Sequence, residues 1–207
     1  MFKEVNFNHL LKSDDIKIYP TIVTKTGERD NEEVYTEIEK WYRDGKYVPY
    51  SQDGLEEVVK YVKRIIPKYI RISRIFRDIP VDNIVGGAKV PHMRQKIQNE
   101  MAIEGDYCKC IRCREIKNRT FDINQLNYTI ESYEAQGGTE YFITANYMPD
   151  IETKEYAPEA DKLLAVGGYI VGFCRLRIQD SNQDLDYLPT SVQHLPYKHH
   201  KRLHPIY

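Results

Sequence analysis

The chain has 207 residues, 41% hydrophobic and 29% charged, with a formal net charge of −1. That length and apolar share allow one sizeable domain or two small ones with a real core, and they exclude a wholly disordered chain. No stretch nears the roughly 18 consecutive apolar residues of a membrane span, and the opening residues MFKEV lack the apolar core of a signal peptide, so a cytoplasmic protein with no membrane partner is expected.

Residues 16–23 (IKIYPTIV) are β-branched and apolar, which predicts a buried strand with Pro20 at its end or in a bulge. Asp30 and Glu33 form a capping pattern ahead of Val34, Ile38, Trp41 and Tyr42 at helical spacing, with Gly45 as a stop. Asp53 and Glu56 repeat the pattern before Leu55, Val58, Val59, Val62 and Ile66, and Pro67 ends this second helix. Residues 69–77 (YIRISRIFR) alternate, predicting a strand with Ile70, Ile72, Arg74 and Phe76 on one face. Strand, helices, strand predicts a parallel pair joined by a helical crossover, one part of a larger α/β domain.

Further along, Pro91 can open a helix that carries Met93, Ile97 and Met101 inward and ends at Gly105. Another helix is predicted from Asn124 through Leu126, Ile130 and Tyr133 to a stop at Gly137 and Gly138. Residues 140–148 and 163–178 then read as two paired strands, the second bent or bulged at Gly167, Gly168 and Gly172, with an acidic hairpin loop over 149–162 between them. Residues 179–207 are polar and carry His194, His199, His200 and His204; a solvated tail is expected, with metal or nucleic-acid binding as the alternative.

The near-zero net charge hides an asymmetry. Residues 1–59 carry 8 basic and 13 acidic side chains, residues 60–119 carry 15 and 6, and residues 120–207 carry 7 and 12. A positive middle between acidic ends attracts a polyanion such as a phosphate backbone, or is simply a solvated basic surface. Within that block Tyr69 and Tyr107 are the tyrosines placed to stack on bases.

Three of the four cysteines, Cys108, Cys110 and Cys113, fall within six residues. They are too close in sequence to staple distant parts of a fold, so metal ligation is the better reading. Flanking Lys109, Arg112 and Arg114 favour the thiolate form, and zinc is the first choice. An iron–sulfur cluster is the rival, with Cys174 the only further thiol, and inert buried thiols are the remaining alternative. Candidates for a fourth ligand are His92 and the tail histidines. Glu115 is the nearest carboxylate if the metal were catalytic.

Residues 16–23, 41–50 (WYRDGKYVPY), 74–80 (RIFRDIP) and 108–116 (CKCIRCREI) together resemble the catalytic subunit of the Elongator complex. Residues 137–142 (GGTEYF) and 171–177 (VGFCRLR) resemble the opening strands of that family's acetyltransferase domain. The resemblance implies mixed α/β and α+β character in three parts. Residues 1–80 would be a partial radical-SAM-type α/β barrel segment, 81–119 a zinc-binding basic linker, and 120–207 the start of a GNAT-like mixed sheet. It implies acetyl-CoA-dependent, carboxymethyl-type modification of the wobble uridine of transfer RNA.

The same resemblance assigns zinc to Cys108, Cys110 and Cys113 and places the family's zinc histidine at Asn118. Transfer RNA becomes the partner of the basic middle, with Lys63, Arg64, Lys68, Arg71, Arg74 and Arg77 the first candidates and Lys109, Arg112 and Arg114 the next. The iron–sulfur motif that works with S-adenosylmethionine would lie before residue 1, and the acetyl-CoA loop beyond residue 207. The chain is therefore expected to be incomplete for catalysis alone, working with a complementary chain or other Elongator-like subunits. The alternative is a non-catalytic zinc module that binds transfer RNA or protein.

Overall fold

The structure is a computed structural model, and it describes residues 2–25, 28–29, 32–33, 35–77, 79–89, 92–153, 155 and 157–179. The histidines expected in the tail lie outside the described residues. Two compact units divide the chain: an α/β unit of Asp15–Ile66 and Arg71–Cys108, and a sheet unit of Met1–Asp14, Pro67–Ile70 and Lys109–Tyr207. A short helix, α1 (Phe2–Phe7), opens the sheet unit.

In the α/β unit the run predicted as one strand is two. β1 (Asp15–Ile18) stops before Pro20, and β2 (Val23–Thr24) starts after it, because a residue without an N–H cannot continue the ladder. A small hairpin, β3 (Glu28–Arg29) with β4 (Glu32–Glu33), follows. Helix α2 (Glu37–Arg43) takes Thr36 as its cap, whose hydroxyl accepts the Glu39 N–H at 3.3 Å; the expected cap, Asp30, lies outside the described residues. Helix α3 (Gln52–Ile65) is capped by Ser51, whose hydroxyl accepts the Gly54 N–H, two residues before the expected cap Asp53, and it ends ahead of Pro67 as predicted.

Strand β5 (Arg71–Ile75) then pairs parallel with β1, so the expected crossover is present. Its alternation slips, however. The register moves from Ile16 opposite Ile72 to Lys17 opposite Arg74, which leaves Ser73 as an extra residue. Ile72 and Ile75 therefore point inward and Arg74 is exposed, correcting the predicted common face of Ile72 and Arg74. Strand β6 (Ile84–Gly86) pairs antiparallel with β2. Helix α4 (Met93–Ile103) buries Met93, Ile97 and Met101 as its period requires, and Arg94 donates to the Ile72 carbonyl at 2.6 Å.

An ionic network joins α3 to α4. Lys60 reaches Glu104 at 2.8 Å and Glu100 at 3.1 Å, and Arg64 meets Glu104 and Asp106 at 2.6 Å each. The Lys60 hydrogen bond, with the charges of Lys60 and Arg64, holds Glu104 below the usual carboxylate range. Burial alone would raise Glu56, but hydrogen bonds from Lys96 and Gln52 hold it low too. Carboxylates depressed in the fold contribute stability that is fully present above the unfolded-chain pKa of about 4.3 and is lost as pH falls through their folded values. The urea midpoint of this unit, followed through the fluorescence of Trp41, should hold from about pH 8 to pH 5 and fall below about pH 4. Glu104→Gln should flatten that fall. A wild-type midpoint unchanged at low pH and low salt would show that the network contributes nothing.

The sheet unit contains the largest correction. Where a helix was expected over 124–133, β7 (Leu126–Glu134) pairs along its whole length with β8 (Gly138–Tyr147). Gly137, read as a helix stop, is instead the second residue of a two-residue hairpin turn: Gln136 and Gly137 have φ of 46° and 75°, and Ala135 and Gly138 exchange backbone hydrogen bonds. Residues 163–166, expected in a strand, belong to α6 (Ala160–Val166), which ends where Gly167 donates its N–H to the Leu163 carbonyl. The third strand, β9 (Tyr169–Gln179), pairs antiparallel with β8 as predicted, and its bulge falls at Val171, beside Gly172. Ile116, Leu163 and Tyr169 form a core here, with Tyr147, Ile151 and Val171 against it.

The described sheets are open: three two-stranded and one three-stranded, in a mixed α/β and α+β fold. Among the described residues no helix is long and apolar enough to cross a membrane.

Candidate metal centre and basic surface

Cys108, Cys110 and Cys113 do converge. All three are buried, and their sulfur atoms lie within 4.8 Å of one another. The local sequence explains this. Cys110 caps a four-residue helix, α5 (Ile111–Arg114), and the Cys113 N–H donates back to the Cys110 carbonyl at 3.1 Å, so both sulfurs return to one side of a single turn. Tetrahedral thiolate ligation at about 2.3 Å sets sulfurs roughly 3.8 Å apart, so a metal fits after a closing movement of about 1 Å.

The turn is pinned from both sides within the sheet unit. Ile111 donates to the Ile70 carbonyl at 3.0 Å, and Ile116 to the Ile170 carbonyl at 3.1 Å. Among the described residues this is the one group of three metal-ligating side chains that comes together, and Cys174, on β9, is not in it. His92 is exposed at the start of α4 and does not join the group; Asn118 is exposed and Glu115 half-buried.

The basic residues separate into three kinds. Lys63 is fully buried in α3, so it is not available to a phosphate backbone as the charge pattern had suggested. Arg64 is committed to Glu104 and Asp106, and Arg114 is 4% exposed, its guanidinium donating to the carbonyls of Lys109 at 2.8 Å and Lys68 at 2.7 Å. These three are therefore structural cations in the fold. In the α/β unit Arg74 and Arg77 are exposed and Arg71 is half-buried; in the sheet unit Lys68, Lys109 and Arg112 are exposed. Arg77 lines an open pocket of about 290 Å³ with Tyr19, Thr21, Thr24 and Phe76 at the ends of β1 and β5. Phe76 has φ of 71°, which turns the chain sharply after the strand.

Tyr69, considered for base stacking, is buried and stacks on Tyr133 at 3.6 Å. Arg175, which was not among the predicted site residues, braces that stack by donating to the Tyr133 hydroxyl and to Asp14. Its one signal was position: a cation on a strand whose neighbours are apolar.

Residues 13–102 match the Radical_SAM C-terminal domain. The chain is 38% identical over 150 residues to a tRNA uridine(34) acetyltransferase of Methanocaldococcus jannaschii, covering 70% of this chain and 26% of that protein. It is 27% identical over 147 residues to Elongator complex protein 3 of Schizosaccharomyces pombe, covering 69% and 25%. An archaeal Elp3 structure from Methanocaldococcus infernus, with residues 1–46 deleted, superposes with a TM-score of 0.66 at 31% identity, over 89% of this chain and 39% of that one. Over the matched residues the chain is similar to Elp3 proteins. It spans about a quarter of the length of the curated relatives it matches.

Proposed function

We propose that the chain serves the modification of the transfer RNA wobble uridine, its exposed cations binding the RNA backbone and its cysteine turn holding one zinc. The observation that carries this reading is the extent of the structural match, 89% of the chain, which runs well beyond the 13–102 region of the family model. The curated relatives that support it are uridine(34) acetyltransferases. Zinc is favoured over a cluster held by four protein thiolates because the fourth cysteine is outside the group. Bound there, zinc would supply a structural crosslink between chain positions 108 and 113.

The full reading is an acetyl-CoA-dependent, carboxymethyl-type reaction with S-adenosylmethionine and an iron–sulfur cluster, in company with other Elongator-like subunits or a complementary chain. No chemical step is assigned to the described residues; their part is to hold RNA and metal.

Five exposed cations are offered to phosphate: Lys68, Arg74, Arg77, Lys109 and Arg112. Five contacts make log affinity fall with log salt at a slope of roughly −3.5 to −4.5. In filter binding with unmodified transfer RNA at low salt, Arg74→Glu with Arg77→Glu should weaken affinity at least about tenfold and make the slope shallower by roughly 2. Lys109→Glu with Arg112→Glu should act in the same direction. Affinity and slope unchanged in both folded variants would leave the basic block as a solvated surface and overturn the RNA reading.

A further inference from the structure

We infer that Arg114 is a positioning residue for the cysteine site, setting the geometry in which the three sulfurs meet. The inference rests on the metal reading above but goes beyond it, because the charge pattern had assigned Arg114 to RNA. Its side chain is 4% exposed, so it offers nothing to a phosphate. What it holds is the ligand loop. Nε donates to the carbonyl of Lys109, the residue between Cys108 and Cys110, and a terminal nitrogen donates to the carbonyl of Lys68.

The first contact orients the peptide between two of the three ligand residues, and Arg114 directly follows the third. The second ties that loop to residues 67–70, the same segment whose Ile70 carbonyl receives the Ile111 N–H. One rigid planar fork therefore fixes both flanks of the turn, which an ammonium with a single point of charge does not reproduce. Outer partners of this kind commonly change metal affinity by about 10- to 100-fold.

The test uses the full chain, stripped of metal under reducing conditions and titrated with cobalt, with zinc as competitor. Wild type should develop the intense near-ultraviolet thiolate-to-cobalt bands, with visible bands typical of a tetrahedral site. Failure of wild type to do so would sink the metal reading itself, and the role of Arg114 with it. Arg114→Lys, which keeps charge and length, should stay folded by circular dichroism yet bind cobalt at least about tenfold more weakly, with altered bands. Zinc should also leave the variant faster in the presence of a chromogenic chelator. Arg114→Lys with affinity within about threefold of wild type and identical bands would overturn the inference. Should Arg114→Lys lose its fold without metal, the comparison is made on zinc-loaded protein by release rate alone, where a wild-type rate is again the overturning result.

Discussion

Cys110→Ser is expected to reduce bound zinc from about one equivalent to below a tenth, as measured by elemental analysis of protein purified from zinc-containing medium. Cys110 is the fully buried member of the triplet and caps the helix that brings Cys113 back to it. A serine hydroxyl is a hard, protonated donor at neutral pH, so the substitution removes one of three thiolates from a site with no fourth cysteine in reach. Because a site of this kind forms only as the chain around it folds, metal binding free energy is also folding free energy. The loss should stay local. The sheet unit has its own core in Ile116, Leu163 and Tyr169, so hydrogen exchange should accelerate over residues 108–116 while β8 and β9 keep their protection. Near-stoichiometric zinc in Cys110→Ser would place the metal elsewhere.

Gly168→Ala should destabilise the sheet unit by about 3 kcal/mol, more than a typical substitution. Two costs combine. Gly168 has φ of 84°, a left-handed conformation that costs an L-residue roughly 1–2 kcal/mol. Its missing Cβ would also lie 2.6 Å from the carbonyl oxygen of Tyr147, which is backbone and cannot rotate away. That contact sits where Tyr147 pairs with Tyr169, so relief requires opening the end of the β8–β9 ladder. Gly167→Ala is the internal comparison: its φ is 79°, but nothing lies within 4 Å of the new carbon, so only the conformational cost of about 1 kcal/mol applies. Urea unfolding of the two variants should separate them by about 2 kcal/mol. Equal losses would show that the close approach to Tyr147 relaxes without cost. The damage in Gly168→Ala should reach the cysteine turn too, since the neighbouring Ile170 carbonyl receives the Ile116 N–H.

The two predictions rest on different depths of information. That three cysteines within six residues converge was legible because their convergence needs only one local reversal of chain, and one short helix supplies it. The stripe of Met93, Ile97 and Met101 was legible for the same reason: a helix carries its own hydrogen bonds, so its period alone selects the buried face. The strand, helices, strand order likewise announced a parallel pair, since only a long crossover can join one.

What needed tertiary structure was every feature whose partner lies far along the chain. Leu126, Ile130 and Tyr133 suit a helical face as well as a strand, and the choice was made by β8, nine residues of which pair with β7 across the Gln136–Gly137 turn. The single extra residue at Ser73 reversed the side on which Arg74 emerges, and no local pattern marks such a slip. Charge was the least legible property of all. Lys63, Arg64 and Arg114 count equally with Arg74 and Arg77 in the sequence, yet the fold buries Lys63, pairs Arg64 with acids 40 and 42 residues away, and closes Arg114 onto two carbonyls. A long flexible side chain can meet its partner in any direction, so the sequence determined that the middle of this protein is basic, and only the packed structure decided which of those charges face outward.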